Sequence, residues 1–134
     1  MSVIVLIVDD DDGVRFFHKI SVSHSNVPTD CLTFKNGQEA MDYLNGRRNE
    51  NNTYLVLLDI NMPHITGWDF LDAIKNENYS SRLNVVMVSS SVDPADRERA
   101  KTYKMVLKIV EKPISDEECK ALFNFPPVAP FLQT

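Results

Sequence analysis

Reactive side chains follow four mostly apolar runs of this sequence. The runs cover residues 3–8, 55–58, 85–88 and 106–111, the last of them interrupted by a lysine. In chain order, the side chains that follow them are Asp9 and Asp10, Asp59, Ser89, and Lys112. Three carboxylates, one hydroxyl and one ammonium group would meet if these four runs end at the same place in the fold.

Such a meeting has a definite chemistry. Two like charges about 4 Å apart repel by roughly 4 kcal/mol at an effective dielectric constant near 20. Lys112 would neutralise part of the charge on the three acids, and a hard divalent cation would neutralise more, Mg²⁺ before others and Mn²⁺ as a substitute. A carboxylate beside such a cation, a lysine and a hydroxyl is suited to accepting a phosphoryl group, because the cations balance charge on the transferring oxygens.

The elements that must position these side chains alternate along the chain. Continuous apolar runs are typical of strands buried on both faces of a parallel sheet. We predict strands at residues 3–8, 31–34, 54–59, 85–88 and 106–111. Helices are predicted from about residue 12 to an end within the polar segment 21–29, and at 38–45, 67–74, 95–104 and 116–124. This βα repeat predicts an α/β fold with a doubly wound parallel sheet. The carboxyl ends of its strands share one edge, where ligands bind.

Local signals refine the helices and the edge of the sheet. Asp11 or Asp12 can cap the first helix. Its apolar stripe is predicted to be Val14, Phe17 and Ser21, with Phe16 and Ile20 alongside. The polar Lys108 within the fifth strand indicates an edge strand. His18, His24 and His64 share no metal-ligand spacing, so we expect them on the surface.

Composition restricts the class of protein. The 134 residues make one domain, and the net charge of −5 with a pI near 5.1 argues against direct nucleic-acid or membrane binding. The apolar run at residues 3–8 is too short for a signal peptide or a membrane span. Cys31 and Cys119 are expected to be reduced, partly buried thiols of a cytoplasmic protein. Residues 1–124 form the expected domain, and the proline-rich residues 125–134 form a tail or the start of a linker.

The strand-end motifs, taken together and in order, resemble the receiver domain of two-component response regulators, in particular stand-alone receivers like the chemotaxis regulators. The motifs are Ile-Val-Asp9-Asp10, Leu58-Asp59-Ile-Asn-Met62-Pro63 with Gly67, Val88-Ser89-Ser90, and Glu111-Lys112-Pro113. The resemblance runs from about residue 3 to residue 124. It implies a flavodoxin-like (βα)5 fold with strand order 2-1-3-4-5.

The resemblance also implies roles for the acids. Asp59 would be the phosphoacceptor, attacking a phosphohistidine on a sensor histidine kinase or a phosphotransfer protein. Asp10, Asp59 and the backbone carbonyl of Asn61 would bind Mg²⁺, and Asp9 would assist through water. Lys112 would pair with a phosphoryl oxygen, and the bond between Lys112 and Pro113 would be cis.

A further set of residues would regulate and read the phosphorylated state. By the resemblance, Ser89 would hydrogen-bond the phosphoryl group and draw in the loop that carries Ser90. Asn61 and Ser91 would tune the rate at which water removes the phosphoryl group. Ile109 stands where the family often has a tyrosine or phenylalanine, so we expect signalling by a backbone shift. The resemblance implies docking to a downstream protein target, as a monomer or a phosphorylation-dependent dimer.

Two other functions are compatible with parts of this pattern. An aspartate-nucleophile phosphohydrolase commonly carries a second aspartate two residues after the nucleophile, where Asn61 stands here. An amide cannot exchange a proton as an acid/base catalyst must, so the hydrolase is the weaker hypothesis. A docking module that never needs phosphorylation would keep the fold but would not need the complete set of strand-end residues. We therefore expect a signalling protein that catalyses only its own phosphorylation and dephosphorylation.

Overall fold

Five parallel strands and five α-helices make up the fold. The computed structural model describes residues 3–25 and 29–123. The strands are β1 (Val3–Val8), β2 (Asp30–Phe34), β3 (Thr53–Asp59), β4 (Leu83–Ser89) and β5 (Val106–Glu111). The helices are α1 (Asp12–His24), α2 (Gly37–Gly46), α3 (Gly67–Ile74), α4 (Pro94–Ala100) and α5 (Asp116–Leu122). The strand order is β2-β1-β3-β4-β5, which confirms the predicted doubly wound sheet with β5 at an edge.

Alternate residues of the strands feed two hydrophobic cores, one on each face of the sheet. β1 and β3 are buried at every position, because helices cover both faces of a parallel sheet. One face packs against α2, α3 and α4, and the other against α1 and α5. Polar side chains of the central strands can therefore gather only where the strands end.

Helix starts follow the capping signals of the sequence. Asp11 caps α1 by accepting a hydrogen bond from the backbone N–H of Val14. Ser115 and Glu118 form a capping box at the start of α5, and Asp93 caps α4. Each of these caps satisfies amide groups that have no partner inside the helix.

The predicted end of α4 is wrong, because the helix stops at Ala100 rather than at residue 104. Beyond Ala100 the chain turns towards α3. The ring of Tyr103 stacks on Trp68, with 5.9 Å between ring centroids, and its hydroxyl donates to Asp72 at 2.7 Å. These contacts bind the segment after α4 to α3 in a conformation that is not helical.

The inward face of α1 also differs from the predicted stripe. Phe16 and Phe17 are 67% and 46% exposed, whereas His18 is 2% exposed. Ser21 and Val22 are buried with His18. Ser21 thus belongs to both the predicted stripe and the observed inward face, whereas the two phenylalanines lie outside that face.

The prediction of three surface histidines is wrong for His18. His24 and His64 are exposed, but the His18 ring is buried because its Nε2 accepts a hydrogen bond from the backbone N–H of Ile114 at 3.0 Å. A polar ring can be buried when it has such a partner. The first helix thus contacts the segment that follows β5.

The remaining boundaries differ by small amounts. Ser89 is the last residue of β4 rather than the first after it, and a short 3₁₀ helix (Asn78–Arg82) lies between α3 and β4. The predicted end of the last helix at Asn124 and the predicted tail at 125–134 lie outside the described residues. Cys31 and Cys119 are free thiols. None of the helices in the described part of the chain is both long and apolar enough to cross a membrane.

Candidate functional site

The carboxyl edge of the sheet brings the predicted side chains together. Ligand atoms of Asp9, Asp10 and Asp59 all lie within 4.8 Å of one another. Lys112 is the first residue after β5, and Ser89 is the last residue of β4. Asp9, Asp59 and Ser89 are each at most 1% exposed, whereas Asp10 faces solvent. The cluster is thus open on the side of Asp10.

The backbone around Asp59 is held on two sides. The N–H of Ile60 donates to the carbonyl of Val88 at 3.0 Å, and the N–H of Gly67 donates to the carbonyl of Ile60 at 2.9 Å. A Cβ on Gly67 would lie 2.6 Å from the backbone oxygen of Asp59, a distance that non-bonded atoms do not adopt. Glycine therefore lets α3 begin directly against the end of β3.

Lys112 bridges the two buried carboxylates. Its Nζ lies 3.3 Å from Oδ2 of Asp9 and 3.3 Å from Oδ2 of Asp59. Burial alone would lower the pKa of Lys112, but the charges of Asp9 and Asp59 outweigh it and hold the pKa above its ordinary value. The backbone N–H of Lys112 also donates to the carbonyl of Ser89 at 2.9 Å. The bond between Lys112 and Pro113 is cis, the isomer that the resemblance implied.

The surroundings of Asp59 oppose its ionisation. Burial, reinforced by the charge of Asp9, raises the pKa of Asp59 to about 6, although Lys112 and the N–H of Asn61 act in the opposite direction. That N–H donates to Oδ1 of Asp59 at 3.1 Å. A cation near the carboxylate would favour its ionised form.

The two Asp59 oxygens have different surroundings. Oδ1 accepts the hydrogen bond from Asn61. Oδ2 is buried and faces the ammonium of Lys112 at 3.3 Å, but within the described part of the chain nothing donates a well-aligned hydrogen bond to it. A buried oxygen with free lone pairs beside two other acids fits a hard cation with oxygen ligands. Asp9, Asp10 and Asp59 could therefore hold Mg²⁺ or Mn²⁺.

Ser89 is the centre of a small network of hydrogen bonds. Its hydroxyl donates to the carbonyl of Ser91 at 2.9 Å and accepts from the N–H of Ser91 at 3.2 Å and from Nδ2 of Asn61 at 3.3 Å. Asn61 and Ser91 are exposed and border the cluster, and Ser90 is exposed beside them. Ile109 is not part of this network, because its side chain is buried in the core beneath α2, α3 and α4.

Two residues of α1 contribute to the site and were not predicted. The guanidinium of Arg15 donates to the backbone carbonyl of Asp9 at 2.6 Å and pairs with Asp12. His18 binds the segment just beyond Lys112. His18, Ser21 and Val22 follow Val14 by four, seven and eight residues, a spacing that puts them on one helix face. This spacing could have predicted that His18 faces inward.

Residues 5–124 match the family model described as the response regulator receiver domain. A rice protein (Oryza sativa subsp. indica), two-component response regulator-like PRR37, is 31% identical over 120 residues, which are 90% of this chain and 16% of that protein. Chemotaxis protein CheV2 of Helicobacter pylori is 32% identical over 71 residues, 53% of this chain and 23% of that protein. This chain thus spans less than a quarter of the length of these two relatives.

Solved structures share the architecture. A two-component response regulator from Cytophaga hutchinsonii is 28% identical and superposes with a TM-score of 0.84 over 92% of this chain and 95% of that chain. The Mn²⁺-bound form of response regulator Rcp1 is 22% identical, with a TM-score of 0.75 over 100% of this chain and 96% of that chain. The second likeness concerns the fold alone.

Proposed function

Because the chain belongs to the family of response regulator receiver domains of two-component systems, we propose that it is a phosphorylation-driven signalling switch with Asp59 as the acceptor. The observation that carries the proposal is Oδ2 of Asp59, a buried oxygen that faces the ammonium of Lys112. It has free lone pairs and a cation 3.3 Å away. An ammonium at this distance can also balance the charge on the oxygens of a phosphoryl group that is transferred to Asp59.

A divalent cation would complete the site. Asp10 and Asp59, with the backbone carbonyl of Asn61, would hold Mg²⁺ or Mn²⁺, and Asp9 would assist through water. The metal, when bound, supplies positive charge to the oxygens of the transferring phosphoryl group. Asp10 is the exposed member of the cluster, so the cation can enter from solvent.

The protein side chains carry the rest of the transfer. A carboxylate oxygen of Asp59 forms the new O–P bond while the P–N bond of a phosphohistidine breaks, and its electron pair leaves on the imidazole nitrogen. Lys112 balances charge on a phosphoryl oxygen, and the Ser89 hydroxyl donates to another after releasing the carbonyl of Ser91. The donor would be a sensor histidine kinase or a phosphotransfer protein.

Asn61 supports the switch over a phosphohydrolase. Its side-chain amide donates to the Ser89 hydroxyl at 3.3 Å, and an amide does not act as a general acid or base. Asn61 and Ser91 would instead set how readily water reaches the phosphoryl group. The protein would thus catalyse only its own phosphorylation and dephosphorylation.

Signalling would run from Ser89 to the face formed by α4 and β5. A groove of about 380 Å³ lies between them, and Lys108 and Ile109 are among its lining residues. Movement of Ser89 and Ser90 towards the phosphoryl group would shift the start of α4 and reshape this groove. Because Ile109 has no aromatic ring to swing, the readout for a downstream protein, or for a second copy of the chain, would be a backbone shift. We place these events in the cytoplasm.

Acetyl phosphate tests the proposal without a partner kinase. With Mg²⁺ and this donor, the protein should acquire an acid-stable, hydroxylamine-labile acyl phosphate, and Asp59→Asn should acquire none. Chelating the metal should abolish labelling of the wild-type protein. Asp42→Asn is a matched control, because Asp42 is an exposed carboxylate on α2 and should label normally.

Two results would contradict the proposal. One is the absence of any label on the folded wild-type protein in the presence of Mg²⁺, and the other is label that survives in Asp59→Asn. Steady release of phosphate from many phosphomonoesters would favour the hydrolase instead.

A further inference from the structure

We infer that His18 is a positioning residue for phosphoryl transfer, which fastens the segment after β5 so that the Lys112 ammonium stays between Asp9 and Asp59. The inference rests on the proposed function, since it concerns the placement of a group that acts on the phosphoryl oxygens. His18 would touch neither the metal nor the phosphoryl group.

One turn of α1 holds both polar backbone groups of Ile114. Nε2 of His18 accepts from the N–H of Ile114 at 3.0 Å, and the hydroxyl of Ser21 donates to the carbonyl of Ile114 at 3.4 Å, a longer and weaker contact. His18, Ser21 and Ile114 are all at most 2% exposed. Water cannot easily replace these buried partners, so the contacts fix the position of Ile114 relative to α1.

Lys112 lies between this contact and another on the opposite side. Its own N–H donates to the carbonyl of Ser89 at 2.9 Å, which ties it to the end of β4. Ile114, two residues later, is tied to α1 through His18. With the backbone held at both ends, the side chain of Lys112 places its Nζ 3.3 Å from both buried carboxylates.

The His18 ring is suited to accept rather than donate. Accepting at Nε2 requires that the proton of the neutral ring be on Nδ1. Burial and the positive charge of Lys112 lower the pKa of His18, and they outweigh the negative charge of Asp9, which raises it. The ring is therefore neutral at physiological pH. A neutral ring keeps its acceptor for the Ile114 N–H.

Two substitutions of His18 distinguish its role as a hydrogen-bond acceptor from its role in filling space. His18→Leu fills the space with an apolar side chain but leaves the buried N–H of Ile114 without a partner, whereas His18→Gln can place an amide oxygen near the former Nε2. We expect His18→Leu to slow phosphorylation by acetyl phosphate by about 10-fold or more, because small displacements of a catalytic group are costly. His18→Gln should remain within about 3-fold of the wild type, a difference under 1 kcal/mol.

A double-variant cycle distinguishes positioning from general destabilisation. If His18 acts through Lys112, His18→Leu should have little further effect on the transfer rate in a Lys112→Ala background. A full additional loss in that background would overturn the inference. So would a His18→Leu protein that is folded and labels at the wild-type rate.

Two further variants keep the test decisive. If His18→Leu does not fold, His18→Asn replaces it, since its amide is too short to reach Ile114; equal rates for His18→Asn and His18→Gln would then refute the role. His24→Leu is the matched control, because His24 is a histidine on the same helix but is exposed, with its ring in contact with Asp116. The His24→Leu protein should label normally.

A spectroscopic readout accompanies the kinetics. The ¹⁵N NMR spectrum of the His18 ring should show an unprotonated Nε2 in the wild-type protein. In the His18→Leu protein, the backbone amide of Ile114 should lose its protection from hydrogen exchange. A wild-type protein that never labels would contradict the proposed function itself. Normal labelling of a folded His18→Leu protein would contradict only the role of His18.

Discussion

Asp59 carries its charge at a position where burial and a neighbouring acid both oppose ionisation. These two effects raise its pKa to about 6 from an ordinary value of 3.8, even though Lys112 lies 3.3 Å away. The ionised form of this carboxylate is therefore disfavoured, and a cation bound beside it would relieve the penalty. A reactive residue is often held in such an unfavourable state at the expense of stability.

The buried charge of Asp59 should lower the stability of the folded protein, so replacing Asp59 by Asn should raise the stability in a pH-dependent way. The pKa is higher in the folded than in the unfolded chain, so the folded state binds the proton more tightly and the group destabilises the fold as pH rises from about 4 to about 6. Without metal, Asp59→Asn should raise the free energy of unfolding by about 1–3 kcal/mol at pH 7 relative to its effect at pH 4. Urea unfolding at both pH values, in the presence of a chelator, measures the difference.

Asp42→Asn is the control for this comparison. Asp42 is exposed on α2, and its replacement should change the free energy of unfolding little at either pH. An Asp59→Asn effect that is the same at pH 4 and pH 7 would show that the Asp59 charge is not destabilised in the folded protein.

Among the elements, β3 and α3 approach each other closely at Asp59. The helix begins at Gly67, whose missing side chain lets the helix approach the strand end. A Cβ there would lie 2.6 Å from the backbone oxygen of Asp59 and 3.0 Å from Cα of Ile60. Backbone atoms cannot yield as the end of a flexible side chain can, so the loop itself must shift.

Gly67→Ala should therefore lower the free energy of unfolding, by about 1–3 kcal/mol as for other overpacked sites, and should slow phosphorylation because Asp59 moves. Gly46→Ala is the matched control: nothing lies within 4 Å of the added Cβ, and at the end of α2 it should be neutral or slightly stabilising. Chemical denaturation and acetyl phosphate labelling of both variants test this. Equal stabilities for the two alanine variants would contradict the close approach.

The same elements show what the sequence could predict. The ends of β1, β3 and β5 were predictable because each apolar run stops at a charged residue, and all parallel strands end at one edge. The end of α4 was not, because it depends on the stacking of Tyr103 on Trp68 from another helix. The helical spacing from Val14 could have placed His18 on the inward face, but it could not identify the hydrogen-bond partner Ile114, which is 96 residues away.

At the scale of the whole molecule, the acids at one edge link metal binding to folding. Asp9, Asp10 and Asp59 are brought within 4.8 Å of one another only by the folded sheet, since they come from two separate strand ends. A cation that binds this arrangement stabilises the folded state, and not the unfolded chain, by mass action.

Mg²⁺ should therefore raise the melting temperature. At a free concentration 100 times the dissociation constant, the gain is about 2.7 kcal/mol, or roughly 10 °C for a domain of this size. If Asp10 binds the metal as proposed, Asp10→Asn should reduce the shift strongly without unfolding the protein, because Asp10 is exposed. Thermal scans with and without a chelator measure both shifts, and an undiminished shift in Asp10→Asn would remove Asp10 from the metal site.

The most direct test of the central claim identifies the phosphorylated residue chemically. Borohydride reduces an aspartyl phosphate to homoserine, which peptide mass spectrometry can locate in the chain. After treatment with acetyl phosphate and Mg²⁺, homoserine should be found at position 59, and it should be missing when the metal is chelated. Homoserine at position 9 or 10 instead, or at no position in a folded and metal-loaded protein, would contradict the assignment of Asp59 as the acceptor.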